Sequence, residues 1–215
     1  MSKTMQSFAD STRSILQSAR DAGAEAATFR APAARDLLAA MRSHEAAALT
    51  AGIRSGAVDP DKLVIRELSR EVSTHYKWCL YSDGQLSVWL NEYKPGTHQG
   101  YARTVHNHRY SFASHVVWGS LEQRQFSIKH AAGRISSIDV KDISVVKSGE
   151  DYCLGSDDVH EVTRWEPGTA SLVLKGPAVR AASEVFDFSQ FSVHSVSSIS
   201  ALRPLATSPQ WPALS

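Results

Sequence analysis

Two cysteines, Cys79 and Cys153, are all that 215 residues carry, and no Cys-x-x-Cys pair is present. This excludes a disulfide framework and a thiolate zinc site, reads both thiols as small buried hydrophobes, and makes a reducing cytoplasm the expected location. Surplus charge is also lacking: 23 basic residues against 22 acidic ones leave a net charge of +1. Nothing in that balance steers the chain towards nucleic acid or an anionic membrane. No apolar run approaches the ~20 residues needed to span a bilayer. Residues Met1–Asp10 lack the apolar block of a secretory signal. The partners left are small molecules, and the oligomeric state is not legible.

The length suits one domain with accessory elements, enough to bury a sizeable core. Residues 8–72 are expected to be helical. Ala, Leu and Met recur at helical spacing from Pro32 to Ile53, with Pro32 at a first helical position. Asp59 and Pro60 restart a helix as N-cap and N1, and Val64, Leu68 and Val72 follow as a buried stripe. From His75 the texture changes. Leu86–Tyr93, Tyr110–Trp118, Gln123–Ile128, Arg134–Val140 and Ser171–Leu174 are rich in β-branched and aromatic residues between Gly, Pro and Asp turn signals. Short strands at this spacing fit a mainly β sandwich or jelly-roll barrel. The expected organisation is a helical segment over 1–74 packed on a barrel over 75–190, then a Ser- and Pro-rich, weakly ordered tail over 191–215.

Within the strand-like region stand His106-Asn107-His108 and, some fifty residues on, His160. Successive strand side chains point to opposite faces, so a His-x-His pair sends two imidazoles to the same side. A third imidazole from a distant strand closes one face of a metal's coordination shell and leaves positions open. Imidazole suits iron, zinc, copper and nickel alike, so the ligands do not choose the metal. His115 has the opposite parity and is expected to face away. Asp157 and Asp158 read as turn residues, or as acceptors for a ligand imidazole.

The run Gly100-Tyr-Ala-Arg-Thr-Val-His106-Asn-His108, with Gly119-Ser-Leu-Glu122 downstream, resembles the first motif of the cupin superfamily. Gly155-Ser-Asp-Asp-Val-His160 resembles its second. The resemblance implies a double-stranded β-helix (jelly-roll) barrel. The usual cupin carboxylate a few residues after His-x-His is missing from Arg109–Ala113, which narrows the likeness to three-histidine members. Over about residues 62–188 the chain is most similar to the cysteine dioxygenase (thiol dioxygenase) family of non-haem iron enzymes. That likeness implies Fe(II) held by His106, His108 and His160, with O₂ and a small molecule as substrates. Zn, Ni and Mn fit the same ligands.

The departures bear on substrate. Cysteine-oxidising members carry an Arg after the Tyr of the pre-barrel segment; here Lys77 and Trp78 stand there. Their late-strand Ser-x-His-x-Tyr is replaced by Ser171-Leu-Val173-Leu-Lys175. The expected activity is therefore an iron(II)-dependent oxygenase acting on a small anionic molecule other than cysteine, for example in specialised metabolism. Tyr110 and Lys175 are the candidate catalytic residues, and Arg103, Trp89 and Phe112 the candidate substrate contacts. Tyr110 and Phe112 share parity with His106 and His108, and Lys175 takes the place of the family's tyrosine. A non-oxidative metal-dependent lyase, isomerase or hydrolase, and a ligand-binding sensor, are the alternatives.

Overall fold

The computed structural model describes residues 64–82, 84, 86–95 and 104–196, and the backbone of 203–204. Among these residues every regular element is a strand. In chain order they are β1 (Arg70–Glu71), β2 (His75–Ser82), β3 (Ser87–Tyr93), β4 (Val105–His106) and β5 (Phe112–Trp118). A long pair, β6 (Ser120–Ala131) and β7 (Arg134–Lys147), comes next, then β8 (Asp151–Leu154), β9 (Val159–Trp165) and β10 (Ala170–Lys175). The last are β11 (Ser183–Asp187), β12 (Ser192–Val196) and β13 (Arg203–Pro204).

Two antiparallel sheets result. One has the order β13-β1-β2-β3-β10-β5-β8, and the other closes on itself as β11-β12-β7-β6-β9-β4. From β3 onwards the chain passes back and forth between them, which is the winding of a jelly roll. Alternation of side chains then builds the core. Tyr93, Phe112, Val116 and Val173 from the first sheet meet Leu121, Val146, Val162 and Trp165 from the second. On the outer face of the first sheet, Trp78, Leu90 and Ala170 pack with Tyr76 and Val117. A further cluster of Val105, Phe126, Ile135, Val159 and Phe186 draws on five strands of the closed sheet.

Turn chemistry explains the register. β6 and β7 are joined by two residues, Ala132 (φ 49°) and Gly133 (φ 74°), the left-handed pair that a tight right-twisted hairpin requires. Gly119 (φ 73°) turns the chain from β5 into β6. It lies against Thr169, whose hydroxyl stands 2.9 and 2.8 Å from the carbonyl oxygens of Ser120 and Glu166 and has one proton to donate between them.

Two expectations are corrected. Val64–Val72 is not helical: a single turn, with Ser69 N donating to Ile65 O at 3.0 Å, leads directly into β1. Leu68 is exposed, so the three aliphatic residues form no buried stripe. A spacing of four is also a multiple of two, so the pattern did not exclude an extended chain. The earlier helix starts at Pro32 and Asp59-Pro60 lie outside the described residues. The stretch after Gln190 opens not as a tail but as β12, which pairs with β11 along its whole length. Among the described residues no helix is long and apolar enough to cross a membrane.

Replacing Gly119 by Ala would set a methyl group 2.9 Å from the Thr169 Cα and hold an L-residue at φ 73°. We expect a loss of about 2–4 kcal/mol, read by urea denaturation. A variant within ~0.5 kcal/mol of wild type would show that this turn relaxes freely.

Candidate metal centre

β4 and β9 pair at one register point, His106 opposite His160. Both side chains are buried, and two residues beyond His106 the chain returns His108 to the same side. One ring nitrogen from each of the three lies within 4.8 Å of the others. The Nε2 atoms of His108 and His160 are 2.9 Å apart. The ring centroid of His106 lies 4.8 Å from those of both partners.

Burial, aided by the neighbouring imidazoles, holds His108 and His160 well below the usual histidine range. Burial pushes His106 down to about 4, partly offset by its bond to the Thr104 carbonyl. All three are thus neutral near pH 7, the form in which imidazole offers a lone pair. His106 Nδ1 lies 2.7 Å from Thr104 O; donating there leaves Nε2 as the acceptor. Two neutral Nε2 atoms facing at 2.9 Å share one proton at best. A divalent ion satisfies both, because cis ligands ~2.1 Å from one ion lie about 3 Å apart. The residues present therefore fit a metal. His106, His108 and His160 would hold it.

The histidines open into a half-open cavity lined also by His75, Lys77, Asn91, Tyr93, Tyr110 and Lys175, among others. Phe112, Tyr152, Val162 and Val173 complete the wall. Strand register assembles it: Lys77 pairs with Asn91, Asn91 with Ser171, and Lys175 with Phe112. No acidic residue lines it among the described residues. Lys175 is buried, and its ammonium stands 4.0 Å over the Trp89 ring and 5.3 Å from the Tyr110 ring centroid. Burial pulls it from 10.5 to about 7. Burial and the charge of Lys175 bring Lys77 to about 8. Asn91 Oδ1, Ser171 Oγ and His160 Nδ1 are buried without a hydrogen-bond partner.

Of the sequence-derived candidates, Tyr110 stacks on His108 (5.8 Å, 28°) and Phe112 meets the same ring edge-on at 4.7 Å. Lys175 reaches the same cavity. Trp89 is not part of the wall; it underlies the Lys175 ammonium and donates from Nε1 to Ser87 Oγ at 2.7 Å. Arg103 lies outside the described residues. His115 faces away, its Nδ1 2.7 Å from Asp151 Oδ1. Asp158 accepts from Gly155 N at 2.7 Å and Asp157 pairs with Arg180, so both serve the turn before β9. Sequence reasoning passed over His75 and gave Lys77, noted at the place of the family's Arg, no role in the site. Their alternation with Tyr76 and Trp78 was the available signal once β2 is read as a strand.

The chain matches no family model and no curated protein. Among solved structures it is similar to an oxalate decarboxylase of Bacillus subtilis (18% identity, TM-score 0.36), over 58% of this chain and 29% of that one. It is also similar to an uncharacterised Klebsiella pneumoniae protein with a double-stranded β-helix domain (14%, 0.40; 60% and 94%). A third is the DMSP lyase DddQ from Ruegeria pomeroyi (14%, 0.37; 56% and 57%). The matched part of this chain spans under a third of the oxalate decarboxylase. Likeness of this degree assigns neither chemistry nor substrate.

His108→Ala removes one of three neutral donors and leaves too few to hold a divalent ion tightly. Metal per chain, measured after loading and desalting, should fall from about one to below ~0.1. Undiminished metal content would show that the three imidazoles are not the seat.

Proposed function

We propose that this protein is a non-haem iron(II)-dependent oxygenase that takes O₂ and a small anionic molecule other than cysteine. One observation carries the reading: among the described residues, a seat of three neutral imidazoles without a carboxylate opens into a cavity with two lysines and no acid. Three neutral ligands leave the metal's +2 charge uncompensated, and Lys77 and Lys175 add to it. Such a cavity favours a substrate that brings its own negative charge.

Each wall residue then has a task. Lys175, held between the Trp89 and Tyr110 rings, receives an anionic group as an ammonium. Tyr110, stacked on His108, offers its hydroxyl beside the seat as donor or acceptor. Phe112, Val162 and Val173 keep water from the reacting atoms. Iron(II), when bound, supplies positive charge for an anionic substrate atom and the electrons that make O₂ reactive. Lys77 stands where the family has its Arg clamp, and an ammonium lacks the guanidinium's two-pronged hold on a carboxylate, which argues against cysteine.

Lys175 also supports a second reading. An amine that releases its proton near neutrality can act as a general base, which suits a metal-dependent lyase, isomerase or hydrolase. Oxygen uptake separates the two. Protein loaded anaerobically with Fe(II) should consume O₂ in step with loss of a small thiol- or carboxylate-bearing acid, and Zn(II)-loaded protein should not. Equal turnover with zinc and no O₂ uptake would select the non-oxidative reading.

Three outcomes are expected of the substrate wall. Lys175→Met should lower turnover by ~100-fold with iron content unchanged, because an orienting group is lost and the seat is not. Lys175 is cationic below about 7 and neutral above it. Anion affinity should therefore fall as pH rises through that value, and the fall should vanish in the variant. Cysteine should be a poor substrate; rapid coupled formation of its sulfinate would restore the ordinary thiol dioxygenase assignment.

A further inference from the structure

His108 lies beyond the end of β4, which stops at His106. A regular ladder therefore does not fix the second member of the His-x-His pair. What runs beside it is the segment from Gly176 to Glu184. Gly176 N donates to Ser111 O at 2.9 Å, and Val179 N and Arg180 N donate to Arg109 O at 2.8 and 3.2 Å. Arg109 Nε returns a bond to Arg180 O at 3.1 Å. Asn107, between the two ligands and buried, is held from three directions by Glu184. Its N donates to Glu184 O at 3.1 Å, its Nδ2 to Glu184 Oε2 at 2.6 Å, and its Oδ1 accepts from Glu184 N at 2.7 Å.

Arg180 joins this assembly to the third ligand. Its Nη1 donates to the Glu184 carboxylate at 3.0 Å, and its Nη2 to Asp157. Asp157 belongs to the turn Gly155–Asp158, closed by Asp158 N on Gly155 O, which delivers the chain into β9 and His160. One planar guanidinium thus spans the residue between His106 and His108 and the turn that sets His160. The fork geometry matters, since a point charge cannot serve two carboxylates along fixed directions.

Resting on the metal-centre reading above, we propose that residues 176–184 form a strap that positions the metal ligands, with Arg180 as its positioning residue. Arg180 touches no ligand imidazole and acts through Glu184, Asn107 and Asp157. The Asp157 side chain is 85% exposed, and an ion pair so wet adds little to folding stability. Its effect belongs to the spacing of the ligands rather than to the fold. A strap of this kind should therefore show in metal affinity and coordination geometry, and hardly in the melting of the metal-free protein.

The test titrates full-length wild type, Arg180→Ala, Arg180→Lys and His108→Ala with Zn(II) and with Co(II), following heat and the visible cobalt band. Metal-free melting is measured alongside. Arg180→Ala should bind zinc 10- to 100-fold more weakly, with a shifted cobalt band and metal-free melting within ~2 °C of wild type. Arg180→Lys should recover only part of the affinity. Binding within threefold of wild type and an unshifted band in Arg180→Ala would overturn the strap while leaving the metal seat standing. So would an affinity loss matched by a comparable fall in metal-free melting. A wild type that takes up no stoichiometric metal would overturn the metal centre and the strap together.

Discussion

The pairing of β4 with β9 at the single register point His106–His160 is the constraint on which the site depends. It places imidazoles from distant parts of the sequence across one ladder. A slip of one residue would turn His160 to the other face, because side chains alternate. Everything around it keeps that register. The Gly155–Asp158 turn meters the chain into β9, the Thr104 carbonyl fixes the His106 tautomer, and Glu184 grips Asn107 from behind. The cavity follows from the same alternation in the facing sheet, where His75, Lys77, Asn91, Tyr93, Val173 and Lys175 share the inner side.

The electrostatics run against ordinary core construction. Buried lysines are rare unless paired, yet the Lys175 ammonium packs on ring faces with a second lysine nearby, and burial lowers the pKa of both. Among the described residues, the cavity lining is short of negative charge. That shortage opposes stability in the empty protein and favours any anion that enters.

Strand texture and the shared side of His106 and His108 were legible because each rests on a period of two within one short stretch; the jelly-roll barrel and the joining of distant His160 to the pair came with the cupin resemblance. The same parity placed Tyr110 and Phe112 on the cavity side and turned His115 outward. Legibility failed where two periods coincide. Val64, Leu68 and Val72 satisfy both helical and extended spacing, and reading them as helix obscured the alternation that begins at His75. It failed again where a role depends on remote partners. Nothing in the stretches Val179-Arg180-Ala181 or Asp157-Asp158 ties Arg180 to Asp157 and Glu184; only the folded chain brings them together. Trp89 differs again, since correct parity put it on the right face but under the Lys175 ammonium rather than in the cavity wall.

The order in which the chain can assemble is set by β3 and β10, which lie side by side with Asn91 opposite Ser171. That neighbourhood exists only after a loop of about eighty residues has closed, and closure over such a span is slow and entropically costly. The three imidazoles come together by a separate long closure, about fifty residues from His106 to His160, with β4 finding both β9 and β11. No short local hairpin brings together all three imidazoles, so a metal cannot nucleate this fold from one end. A metal held by them would instead lock the β4–β9 pairing once that pairing had formed.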